Sequence, residues 1–116
     1  MLRAATLLLA LAIPLGAHAA TKAKPANGAI AYHRDSGSFG YAVDQASSRA
    51  ARIEALRQCG HPRCEVVLRF NGDCGAVANG PKRHAASKGT TREEAETKAL
   101  RACGQGCELV GWACTR

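Results

Sequence analysis

The sequence predicts a small α+β domain made twice from one strand–strand–helix–strand unit, with an antiparallel sheet, two helices and about three disulfides. Three observations predict it. A segment recurs at an offset of 44 residues, six cysteines stand in a chain of 116 residues, and an apolar run near Met1 stops too soon to span a membrane. A chain of this length holds one domain.

The N-terminus reads as an export signal. Met1-Leu2-Arg3 is a short positive region, Ala4 to Gly16 is an apolar stretch broken by Pro14, and Ala17-His18-Ala19 has the small-x-small pattern of a cleavage site. A membrane span needs about 20 apolar residues. The expected organisation is a signal peptide at 1–19, a flexible lead-in at 20–27 and one duplicated domain at 28–116, with repeat one at 28–74 and repeat two at 75–116. Cleavage removes Arg3 and lowers the net charge from +7 to +6. It leaves no transmembrane segment and places the protein in the periplasm or the medium.

The repeat organises the elements. Ile53-Glu54-Ala55-Leu56-Arg57-Gln58-Cys59-Gly60 aligns with Thr97-Lys98-Ala99-Leu100-Arg101-Ala102-Cys103-Gly104, and Cys64-Glu65-Val66-Val67 aligns with Cys107-Glu108-Leu109-Val110. Gly28-Ala29-Ile30-Ala31 resembles Gly75-Ala76-Val77-Ala78, and Cys74 is matched to Cys114. Ala29 to His33 and Phe39 to Val43 are short β-forming runs around the turn signal Asp35-Ser36-Gly37. Ser47 caps a helix that runs to about Cys59, with Ile53, Leu56 and Cys59 expected on one face and Gly60 as the stop. Cys64 to Phe70 is a strand whose Val66-Val67-Leu68 core suggests burial on both faces. Asn71-Gly72-Asp73 turns into the second unit, whose first strand spans about Gly75 to Asn79. Its hairpin partner, His84 to Lys88, has little β-forming character. Thr91-Arg92-Glu93-Glu94 is a capping box, with Glu94 expected to reach back to the cap residue. Leu109 to Cys114 closes the chain as a strand carrying the one tryptophan, Trp112.

Matched helix positions carry opposite charges: Arg49 against Glu93, Arg52 against Glu96, and Glu54 against Lys98. Helices set side by side would turn these exchanges into attraction, at about 0–1 kcal/mol per exposed pair. Two solvated faces that diverged independently give the same pattern.

Six cysteines in a short exported chain form a disulfide framework. The spacing favours Cys59–Cys64 and Cys103–Cys107 across tight turns, with Cys74–Cys114 joining the repeats. The alternative links the helix-end cysteines to Cys74 and Cys114. A zinc site from Cys59, His61, Cys64 and Cys74 is the competing chemistry. It is disfavoured because Gln105 stands near the matching position of His61, and no metal or other cofactor is expected.

No catalytic motif is found, and an even cysteine count argues against a thiol nucleophile. The candidate ligand-binding residues are His33 and Arg34 in the first hairpin with Lys82, Arg83 and His84 in the second. Convergence of the two hairpins would make a cationic site for a phosphate, carboxylate or acidic glycan. Nucleic acid is not an expected partner, because the positive residues are dispersed and only five aromatic side chains are present. The expected partner is a protein or an anionic component of the envelope.

The runs AIAY, GYA, ALRQCG and CEVVLRF, with the echo ALRACG and CELVGWAC, resemble the bacterial secreted domain of unknown function numbered 4189. The resemblance covers about Gly28 to Cys114. It implies an exported, cysteine-containing small α+β domain and brings no catalytic residues with it. KRHAASKG departs from the aromatic, glycine-rich second hairpin usual in such domains. The function expected is a disulfide-stabilised, non-catalytic binding module, in the manner of an inhibitor or immunity protein. The alternatives are a small secreted enzyme acting at the envelope, with a hairpin histidine as acid or base, and a structural or stress-related envelope protein.

Overall fold

A computed structural model describes residues 24–116 together with Ala10. The expected signal segment and its cleavage site lie outside the described residues, Ala10 apart. The elements run β1 (Asn27–His33), β2 (Ser38–Gln45), α1 (Ser48–Cys59), β3 (Glu65–Asn71), β4 (Cys74–Asn79), β5 (His84–Gly89), α2 (Arg92–Cys103) and β6 (Glu108–Cys114). This is the expected unit twice over. Asn27, placed in the lead-in by the sequence, belongs to β1, where it pairs with both Gln45 and Asn71.

The strands make two three-stranded antiparallel sheets, ordered β2-β1-β3 and β5-β4-β6. In each, the first strand of the unit is central. Side chains alternate across a strand, and the alternation in β1 and β4 sets the layers. Ala29 and Ala31 join Ala51, Ala55 and Cys59 beneath α1, and Ala76 and Ala78 join Ala95, Ala99 and Cys103 beneath α2. The intervening Ile30, Tyr32 and Val77 meet Phe70 and Ala113 between the sheets. The order of layers is therefore helix, sheet, sheet, helix. Ile30 and Val77 are fully buried at its centre, each stabilising the fold by about 1.5–3 kcal/mol.

This layering overturns the side-by-side helix arrangement. Each helix covers the outer face of its own sheet, so Arg49, Arg52 and Glu54 do not face Glu93, Glu96 and Lys98. The charges pair within each helix, Arg57 with Glu54 on α1 and Arg92 with Glu96 and Lys98 with Glu94 on α2.

The buried stripe of α1 is also not the expected one. Ala51, Ala55 and Cys59 are inside, while Ile53 and Leu56 are 56% and 39% exposed. The cause is close approach. A Cβ on Gly40 of β2 would collide with backbone atoms of Ala55 and Cys59, so helix and strand lie too near for longer side chains between them. The helix ends themselves follow the sequence. The Ser47 hydroxyl accepts from the Ala50 amide at 3.0 Å, and Gly60 closes the helix in the left-handed region at φ 69°. On α2, Thr91 accepts from the Glu94 amide at 3.1 Å, but the Glu94 carboxylate turns to Thr90 and Lys98 and does not return to the cap.

β3 is an edge strand with Val66, Val67 and Leu68 half-buried. The register shifts opposite Ile30 and Ala31 because Val67 is an extra residue. It bulges so that Val66 packs toward α1 and both Val67 and Leu68 pack toward the other sheet. β5 forms despite its weak propensity, paired with β4 from Cys74↔Gly89 to Asn79↔His84. Its small residues suit the site: Ala85 fits under α2 and Ala86 fits between the sheets.

Candidate functional site

The three bridges are Cys59–Cys64, Cys103–Cys107 and Cys74–Cys114, with Cα separations of 6.3, 6.0 and 4.0 Å. The zinc alternative fails on this pairing, since Cys59, Cys64 and Cys74 are sulfur-bonded and offer no thiolate. Cys74, counted by sequence as the last residue of the first repeat and matched to Cys114, instead begins β4, so the Cys74–Cys114 bridge does not link the two sheets. It staples β4 to β6 within the second sheet, where the two residues are directly paired.

The candidate ligand-binding residues cluster at one end of the sandwich, where the β1–β2 and β4–β5 turns meet. Arg34 ties them together. Its Nε donates to Asn79 Oδ1 at 3.2 Å and its Nη2 to the Gly80 carbonyl at 2.9 Å. Beneath it, the Tyr32 ring lies edge-on to His84 with centroids 5.5 Å apart. Burial pushes the Tyr32 phenol above its ordinary pKa, and the nearby Arg34 charge partly opposes that rise.

The two hairpin histidines do not converge. Tyr32 and His33 are neighbours on one strand and point to opposite faces. His84 accompanies Tyr32 on the inner face, whereas His33 stacks on His61 at 4.1 Å, on the side of α1. A single acid–base pair made from His33 and His84 is therefore not assembled. His61 stands outside the ligand-binding candidates that the sequence offers, and enters there as a ligand of the disfavoured zinc site. Its place inside the Cys59–Cys64 loop, at the end of the helix covering β1, was the available signal. The Arg63 amide donates to His61 Nδ1 at 3.0 Å, and the Ser36 hydroxyl lies 2.6 Å from His33 Nδ1.

Arg83 turns toward the end of α2, where its Nε donates to the Cys103 carbonyl at 2.7 Å. A cation at a helix C-terminus satisfies an orphan carbonyl and complements the helix dipole. Next to it opens a cleft of about 430 Å³ lined by Pro81, Lys82, Arg83, Gln105 and the Cys103–Cys107 bridge. Gly80 permits this closeness, because a Cβ there would press on the Cys107 sulfur. Lys82 is exposed at the rim. The end of the molecule thus presents two cations held by hydrogen bonds, Arg34 and Arg83, and the exposed Lys82; Lys82, Arg83 and the Cys103–Cys107 bridge line the cleft, with Arg34 on the adjoining turn. Among the described residues no helix is long and apolar enough to cross a membrane.

Comparison with known proteins agrees with this architecture. The chain is 41% identical over 87 residues to the uncharacterized protein Rv1813c of Mycobacterium tuberculosis H37Rv and to the uncharacterized protein Mb1843c of Mycobacterium bovis. Each match covers 75% of this chain and 59% of the relative, so the chain spans well under two thirds of those proteins. The NMR structure of Rv1813c superposes with a TM-score of 0.64 at 37% identity, over 80% of this chain and 78% of that one. A family model matches residues 27–114, which takes in every strand and helix described above. The chain belongs to the family described as domain of unknown function (DUF4189).

Proposed function

We propose that the protein is an exported binding module that engages an anionic partner with its hairpin end. One observation carries this reading: Arg34 locks the two turns into a single surface, beside a cleft rimmed by Lys82 and Arg83. The three bridges support it, because cross-links suit a small domain exported to an oxidising compartment. A rigid surface loses little conformational entropy on binding, which favours affinity. The partner is an acidic protein surface or an anionic envelope component, and the role resembles that of an inhibitor or immunity protein. The enzymatic alternative has less support, since His33 lies on the α1 side of β1 and His84, from β5, packs on Tyr32 on the other side.

The test uses the mature, oxidised protein. Anionic phosphatidylglycerol vesicles and a soluble carboxylated glycan serve as probes, beside neutral phosphatidylcholine vesicles. Binding should favour an anionic probe, weaken with salt, and fall several-fold in Lys82→Glu, a rim charge whose reversal leaves the packing intact. Equal binding to neutral vesicles, or indifference to Lys82→Glu, would remove the hairpin end as the binding surface. N-terminal sequencing of secreted material should begin at Ala20; retention of residues 1–19 would contradict export by signal cleavage.

A further inference from the structure

A second surface lies along the edge of the sandwich, away from the hairpin end. β3 and β5 are both edge strands, and Leu68 of β3 rests over Gly75. Gly75 pairs with Lys88 of β5. Lys88 therefore lies beneath the β3 edge. Between them runs a groove of about 320 Å³ lined by four consecutive residues, Val66, Val67, Leu68 and Arg69, together with Lys88. Consecutive lining residues mean that strand backbone forms the wall. β3 pairs with β1 along its other side, so the main-chain donors and acceptors on this side open into the groove, as on any sheet edge.

The equivalent edge of the second sheet is different. Trp112 occupies there the register position of Arg69, opposite Ala76 as Arg69 is opposite Ala29. The Arg92 guanidinium covers its ring at 4.1 Å. The β6 edge also exposes Leu109 and Val110, but its cation, Arg92, is engaged on the Trp112 ring; the β3 edge combines half-buried Val66, Val67 and Leu68 with two cations, Arg69 and Lys88, that line the groove.

We infer that the β3 edge accepts an extended acidic peptide segment as an added strand. Main-chain hydrogen bonds to β3 give affinity in this mode of recognition, and side chains alternating across the added strand give specificity. Arg69 lies on the α1 side of the edge and Lys88 on the side of the second sheet. The preferred segment therefore carries acidic residues on both its faces, with a small apolar residue against Val67 and Leu68. No acidic side chain lines the groove, so charge complementarity selects the sign of the partner.

The experiment titrates the oxidised mature protein with a capped peptide of about eight residues built from Glu and Val, long enough to span the edge. Amide NMR shifts should concentrate on Val66 to Arg69, and hydrogen exchange there should slow. The double variants Arg69→Glu/Lys88→Glu and Arg69→Gln/Lys88→Gln, each checked for an unchanged melting temperature, should weaken binding, the charge reversal by about tenfold. A backbone N-methylated version of the peptide should not bind. Absence of saturable binding overturns the inference. So does equal binding of the N-methylated peptide or of inorganic polyphosphate, which would mark a general polyanion surface, or a shift pattern centred on the hairpin end.

Discussion

Asn27 and Asn71 occupy in the first sheet the register position that Cys74 and Cys114 occupy in the second. Where the second unit has a covalent bridge, the first has a hydrogen bond, Asn71 Nδ2 donating to Asn27 Oδ1 at 2.9 Å. The duplication therefore distributes its cysteines two and four, with the cross-strand bridge in only one half. Replacing both asparagines with cysteine should close a fourth disulfide of the same kind. In the loop-entropy model that constraint is worth about 4 kcal/mol. Mass spectrometry should find two further hydrogens lost on oxidation, and the melting temperature should rise. A free thiol pair in the oxidised double variant would show that the two edges are not equivalent.

The existing bridges should not contribute equally. Cys74–Cys114 spans a sequence separation of 40 and Cys103–Cys107 only 4. Their loop-entropy contributions are about 4 and about 2 kcal/mol. Replacing Cys74 and Cys114 with serine should lower the melting temperature more than the same change at Cys103 and Cys107, as measured by thermal denaturation.

Gly40 should be intolerant of even one methyl group. Gly40→Ala drives a Cβ into the backbone of α1, and relieving that overlap should cost about 1–3 kcal/mol or more. Gly37, in the left-handed region at φ 72° with open space around its Cβ direction, makes the comparison: Gly37→Ala should cost only about 1–2 kcal/mol. Chemical denaturation of the two variants orders them.

Acid should loosen α1 late. Hydrogen bonds from Arg57, and then from Gln58, hold the Glu54 carboxyl at about 2, below its ordinary 4.5. A depressed folded-state value stabilises the fold above the unfolded value, and the contribution fades as pH falls from about 4.5 through about 2. Carboxyl NMR titration should place Glu54 in that window in the intact protein. In Arg57→Ala its midpoint should move up toward the ordinary value.

The Arg92–Trp112 contact gives a direct optical readout. Arg92→Ala removes the guanidinium over the ring and the Glu96 ion pair. The loss should be about 0.5–1 kcal/mol for the cation–π contact, with a shift in the emission of the one tryptophan. Unchanged emission would show that the stack does not persist in solution.

Local chemistry determined much of this protein directly from its sequence. The duplicated Ala-Leu-Arg-x-Cys-Gly segment marked both helices and their stops, Ser47 and Thr91 marked their starts, and the short spacings of Cys59–Cys64 and Cys103–Cys107 marked two bridges, because caps and tight loops depend on near neighbours. Tertiary structure decided which faces meet. Ile53 and Leu56 look like a buried stripe until Gly40 brings the strand so close that the small side chains of Ala51, Ala55 and Cys59 take the inner face. Cys74 and Cys114 look like a link between units until register places them on adjacent strands of one sheet. His33 and His84 look convergent until one-residue alternation along β1 sends His33 and Tyr32 to opposite faces. Arg34, by contrast, acts across the unit boundary through a contact 45 residues away in the chain, which no local pattern encodes. Packing of two sheets back to back, with a helix on each outer face, is a property of surfaces meeting at a distance in sequence, and it is this that places the cationic hairpin end and the open β3 edge.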